Sequence, residues 1–240
     1  MKTQAITKKG QNTKQKIIDV SKELFFKQGL IKTTVAQITK ESEVNNGLFT
    51  YYFGTKTKLA NMISTEFRVK LRNAVSKKMF EDFKEYNLAL GIAVEQRMNI
   101  KLQHEYPALL RFSIETYSEN ASPINMNFTN YPIKDGQKEA NVKRDHYYKL
   151  QKRLINPTIS DLDLKFYQIT GIAITNSIMR SFHQNDIVCS TDYIGDKLIK
   201  TLFYLLGVED KDYIYYLQTR SKEIVDQLDF KIVPYFELEY

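Results

Sequence analysis

Between Val44 and Leu59 the chain reads VNNGLFTYYFGTKTKL: two amides at the front, four aromatic rings, three threonines, two lysines and no acid. Side chains of these types bind rather than cleave. Amides donate and accept at base edges, a phenol reaches a phosphate while its ring lies against sugar or a thymine methyl, and an ammonium neutralises phosphate. A carboxylate would be repelled by the same phosphates. Catalysis has no comparable signal: there is no nucleophile elbow, phosphate loop or dinucleotide fingerprint, and Asp161 with Asp163 reads as a helix cap. No catalytic residue is assigned. Three scattered histidines (His104, His146, His183) and a single cysteine, Cys189, offer no metal set and no internal disulfide, so neither metal nor cofactor is expected.

The net charge of +7 is unevenly placed. Residues 1–80 hold 16 Lys and Arg against 5 Asp and Glu, whereas residues 81–240 hold 19 against 23. A basic block at one end favours a polyanion there, most simply nucleic acid, with an anionic membrane surface as the rival and a solvated basic face as the bland alternative. The basic N-terminus lacks the apolar stretch of a signal peptide and no run approaches a membrane span, so a cytoplasmic location without membrane partners is expected.

The surrounding pattern says which elements carry these residues. Thr13 to Gln28 places Ile17, Ile18, Leu24 and Phe25 on one helical face, and Gly29 ends it. Thr34 and Gln37 form the T-x-x-Q of a capping box opening a short helix to about Glu41. A turn at Ser42-Glu43-Val44 leads to Asn45, a cap for a second short helix ending at Phe53-Gly54, and Thr55 starts a long helix. The aromatic stretch thus lies on the second helix of a helix-turn-helix, the element that enters the DNA major groove. Phe49 and Phe53, four residues apart, are expected to face inward, and Tyr51 and Tyr52 outward. Gly47 permits close packing or close approach to the DNA backbone.

These residues resemble the TetR family of bacterial transcriptional repressors. The resemblance covers Thr13 to Met62 through LFFKQG, TTVAQIT and NNGLFTYYFGTKTKL. It departs where the family commonly has Gly at Glu43, Lys at Asn46, Thr at Leu48 and Tyr at Thr50. What it implies is an operator of double-stranded DNA, with Thr34 and Gln37 near its backbone, Asn45, Asn46, Gly47, Leu48 and Tyr51 at the groove, and Tyr52 and Lys56 on phosphate. Leu48 suggests an apolar contact, for instance with thymine methyls.

From Glu81 onward the pattern is helical: Tyr86 to His104, Ala108 to Ser118 behind Pro107, and a charged helix Lys138 to Ile155, with a long loop over Glu119 to Gly136. Asp161 to Gln184 and Ile194 to Leu206 are apolar on more than one side, which fits a four-helix bundle formed with a second copy, or else a monomeric core. The expected fold is all-α: a basic flexible arm over 1–12, a helix-turn-helix domain over 13–60, a helical ligand-binding and dimerisation domain over 61–206, and an extension over 207–240 holding a helix and a tail of open role. The resemblance implies a homodimer through 161–206 and an unidentified small-molecule effector. Polar groups on apolar faces that could meet it are Arg97, Arg111, Glu115, Asn176, Arg180 and His183. A DNA-binding or architectural protein without an effector is the alternative.

Overall fold

The computed structural model describes residues 8–84, 87–119 and 155–240. Among them are nine helices: α1 (Lys8–Gln28), α2 (Val35–Glu41), α3 (Asn46–Phe53), α4 (Lys56–Phe83), α5 (Leu88–Glu105), α6 (Pro107–Glu119), α7 (Asp161–His183), α8 (Thr191–Leu205) and α9 (Lys211–Gln227). The fold is all-α, as its helical periodicity predicts, apart from a two-stranded hairpin, β1 (Lys231–Val233) and β2 (Glu237–Glu239), at the C-terminus.

Local chemistry sets the helix ends. The Thr34 hydroxyl accepts from the Gln37 N–H at 3.2 Å while the Gln37 carbonyl accepts from the Thr34 N–H at 2.8 Å, completing the capping box. Asn45 Oδ1 accepts from Leu48 N–H at 2.9 Å, and Thr55 Oγ1 from Lys58 N–H at 3.1 Å, so α3 and α4 begin where the caps stand. α4 then runs 28 residues, about 42 Å at 1.5 Å per residue, and carries the first three helices' core into the rest of the molecule. Buried Leu59, Ile63, Phe67, Leu71 and Met79 line its length.

One boundary differs from expectation, and the tail left open acquires a structure. The arm expected to be flexible over 1–12 is helical from Lys8 onward, because nothing in Lys8–Asn12 stops α1 from extending toward solvent. The tail FKIVPYFELEY folds back on its own chain as the hairpin, with Lys231 opposite Glu239, Ile232 opposite Leu238 and Val233 opposite Glu237. The loop expected over Glu119–Gly136 and the helix over Lys138–Ile155 lie, but for their end residues, outside the described residues. No helix among the described residues is long and apolar enough to cross a membrane.

Candidate nucleic-acid interface and effector cavity

α3 is eight residues long and divides its aromatics by period. Phe49 and Phe53 are buried, with ring centroids 5.7 Å apart. Tyr51 is 71% exposed. Tyr52 is not its outward partner: it is 7% exposed, with its ring edge-on to Tyr51 at 5.1 Å. The correction follows from spacing, since 49, 52 and 53 are i, i+3 and i+4 and share one helical face. Leu48 is half-buried against the same core, which leaves part of its side chain for a partner.

The polar residues of the reading head are partly committed. Asn45 gives its carbonyl oxygen to the cap, and Asn46 Oδ1 accepts from the Thr39 hydroxyl at 3.0 Å, so both amides keep their N–H groups as donors. Gly47 is exposed beside them. Thr34 is exposed at the start of α2, and Gln37 keeps its amide nitrogen. Lys56 differs from expectation. Its ammonium donates to the carbonyls of Leu30 at 2.8 Å and Thr33 at 2.9 Å, tying α4 to the link between α1 and α2. Two of its three protons therefore serve the domain's own backbone, in the link between α1 and α2. Exposed Lys32, Lys40 and Lys58, which the aromatic pattern did not single out, add positive charge around the helix-turn-helix.

The effector candidates scatter. A cavity of about 300 Å³ lies among α4, α5, α6 and α7, closed by Leu202 of α8 and by Phe236. Asn176 lines it, with its amide donating to Ile172 O at 2.8 Å. Arg97 instead is buried among α5, α8 and α9, paired with Asp192 and Asp196. Arg111 donates to Phe26 O at 2.6 Å, and Glu115 accepts from Leu30 N–H at 2.5 Å and Ile31 N–H at 3.2 Å, so both reach across from α6 to the end of α1. A Cβ on Gly29, whose φ is +91°, would lie 2.8 Å from the Glu115 carboxylate, so this joint is built around a glycine. Arg180 donates to Ser118 Oγ at 2.6 Å, and His183 is exposed at the end of α7.

Other polar residues line the cavity. Arg68 and Arg72 stand one turn apart on α4, and Gln96, Asn99 and Gln103 form a stripe on α5. Arg72 makes a two-pronged ion pair with Glu95 at 2.8 and 3.0 Å. With Lys165 at the rim, three cationic side chains meet one carboxylate among the described lining residues, interleaved with Phe67, Leu109, Phe112 and Ile172. The i, i+3 and i+4 spacing of polar residues on otherwise apolar helices was the available signal.

Residues 17–63, which hold all of α2 and α3, match the description of the bacterial regulatory proteins of the TetR family. The HTH-type transcriptional regulator QacR of Staphylococcus aureus is 30% identical over 124 residues. Residues 17–63 thus carry a domain of the TetR family type. That domain is similar to the helix-turn-helix of bacterial transcriptional regulators. The alignment takes in 48% of this chain and 62% of QacR, so the chain spans less than two thirds of the curated relative it matches. Among solved structures, RolR without ligand aligns over 89% of this chain and 97% of its own at 15% identity, with a TM-score of 0.51, which shows a shared fold. TylP, a TetR regulator from Streptomyces fradiae, aligns over 91% and 90% at 18% identity with a TM-score of 0.49.

The TetR resemblance also explains one departure physically. Glu43, where the family commonly has Gly, has φ +54°, a left-handed backbone that costs a side-chain-bearing residue energy and a glycine little. Its carboxylate pairs with Lys16, whose hydrogen bond and charge hold the carboxyl below the ordinary range. Glu43→Gly is expected to raise the thermal midpoint by about 2–4 °C. A lower midpoint would show that the exposed ion pair outweighs the backbone strain.

Proposed function

We propose that the chain is a homodimeric repressor that reads a palindromic operator through α3 and answers to a small molecule held in the cavity. The observation that carries this reading is the division of labour along α4. Its first turn closes the helix-turn-helix, and about three turns later Arg68, Leu71 and Arg72 wall a cavity bordered by α5, α6 and α7. Any ligand that fits one setting of this helix better than another shifts the two reading heads together. Apolar walls interleaved with guanidinium and amide groups suit an organic molecule with an apolar body and polar ends. The dimer is supported by apolar side chains exposed on the single chain along α7 and α8, among them Leu162 at 64%, Phe166 at 63% and Tyr193 at 53%.

The first experiment is selection of genomic fragments by the purified protein at roughly physiological salt. An inverted repeat with half-sites about one helical turn apart is expected. Fragments with no shared motif would overturn the operator reading in favour of general polyanion binding. On the recovered repeat, Tyr51→Ala is expected to weaken binding by about 1–3 kcal/mol and to leave the fold intact, since Tyr51 is the exposed ring of α3. Unchanged affinity would remove Tyr51 from the groove.

A further inference from the structure

The last twelve residues do more than end the chain. Phe236, at the turn of the hairpin, is 2% exposed and sits between Phe26 of α1 and Phe112 of α6. The ring centroids are 5.3 Å from Phe26, edge-on, and 4.5 Å from Phe112, stacked. Phe112 in turn stacks on Phe25 of α1 at 5.7 Å, and Tyr235 meets Phe26 edge-on at 5.8 Å. One residue further, the Glu237 carboxylate accepts from Lys22 of α1 at 2.7 Å and from Lys70 of α4 at 2.6 Å. Glu66 of α4 closes the group, 3.3 Å from Lys22 and 3.0 Å from Lys70. Lys22 is 7% exposed, a burial that a lysine tolerates only with anionic partners, and one of its two comes from the hairpin.

The same Phe236 and Phe112 line the cavity. Two roles thus meet in one ring: its neighbours on one side belong to the first helix of the DNA-binding domain, and on the other it completes the wall around the expected ligand. On the regulator reading above, we infer that the C-terminal hairpin is a clasp. It fixes α1 against α4 and α6, and Phe236 is the positioning residue through which filling of the cavity loosens that grip. A molecule that displaces Phe236 also draws Glu237 away from Lys22 and Lys70, because the two residues are adjacent in one short strand end. Lys22 then has to rehydrate, and the cheapest way is a shift of α1, which carries the helix-turn-helix with it.

The charge arrangement suits a clasp that holds across the neutral range. Burial alone would raise the Glu237 carboxyl, but the hydrogen bonds from Lys22 and Lys70 outweigh it and hold it below the ordinary 4.5. Burial would likewise lower Lys70, and its bonds to Glu237 and Glu66 instead hold it above the ordinary 10.5. The carboxylate's contribution is therefore complete above its ordinary value and is lost as pH falls through the depressed one; that of Lys70 is complete below 10.5 and is lost as pH rises through the raised one.

The test is hydrogen exchange, in the absence of DNA and ligand, on the full chain and on Phe236→Ala and Glu237→Gln. A clasp predicts amide exchange about tenfold faster or more in the last two turns of α1 and in the hairpin, with α5 and α9 unchanged. A residue that contributes only to global stability would instead speed the most protected amides of every helix alike, and that result, or no change in α1 for either variant, would overturn the clasp. Glu237→Gln keeps the shape of the side chain and removes its charge, so it decides the question even where Phe236→Ala unfolds. A second arm adds the anionic amphipath 1-anilinonaphthalene-8-sulfonate to the native chain. Saturable binding that is blocked by Gln96→Trp and speeds exchange in α1 supports the coupling; the same binding with α1 unchanged overturns it. Loss of operator selection with the exchange pattern intact would sink the repressor reading and leave the clasp standing.

Discussion

Replacing both acids that face Arg97, in Asp192→Ala with Asp196→Ala, is expected to cost about 3–5 kcal/mol of stability, whereas Arg97→Met should cost less than half as much. The asymmetry comes from burial. Arg97 is 4% exposed at its side chain, while those of Asp192 and Asp196 are 44% and 46% exposed. Removing the acids strands a guanidinium in the core. Removing the guanidinium frees two carboxylates that water already reaches, and Asp192 keeps Lys222 at 2.6 Å. Arg97 also donates to Gln218 O at 3.0 Å and to Ser221 Oγ at 3.3 Å, but Gln218 O keeps the Ser221 hydroxyl at 3.1 Å, so the loss of Arg97 strands no backbone acceptor of α9. The helix that faces it is cut to fit: a Cβ at Gly195 would stand 2.7 Å from Arg97 Nη1. Thermal melts of the purified chains decide the matter. The acid pair should lower the midpoint by about 6–20 °C, and a larger drop for Arg97→Met would show that packing rather than charge holds this junction.

The same arginine marks where sequence reading reaches its end. Local chemistry was legible: the Thr34/Gln37 capping box, the Asn45 and Thr55 caps and the glycine stop at Gly54 all stand where the residue types place them. These need only neighbours along the chain. Tyr52 turns inward because its three-residue step from Phe49, not its adjacency to Tyr51, sets its face. Arg97, Arg111 and Glu115 each interrupt an apolar helix, which makes them candidates for a ligand, yet each answers a polar group on an element 85 to 124 residues away. Periodicity assigns a face to a residue but does not say which element covers that face. The hairpin escaped for the same reason. KIVPYFELE has alternating apolar residues suited to a strand, but Phe236 and Glu237 acquire meaning only when Phe26, Phe112, Lys22 and Lys70 are brought to them.

Placing a charge on α7, in Leu162→Asp with Phe166→Asp, is expected to give a folded monomer whose operator affinity is lower by about 10²–10⁴. Both side chains are nearly two thirds exposed in the single chain, one turn apart. Their exposure means that aspartate costs the lone chain little. Across a twofold axis the effect doubles, because each substituted patch meets its own copy and four carboxylates would have to be buried together. α7 and α8 are well suited to such a contact. They pack closely, with Gly171 set against Leu202 so that a Cβ there would lie 2.9 Å from its Cδ2, and Tyr204 and Leu205 add exposed apolar surface on α8. DNA affinity falls with the dimer because two half-sites bound by one particle gain from effective concentration what two separate monomers forgo. Sedimentation of the variant, followed by titration of the selected repeat, separates the steps. A variant that stays dimeric would move the interface off this face, and a monomer with full affinity would mean that one reading head suffices.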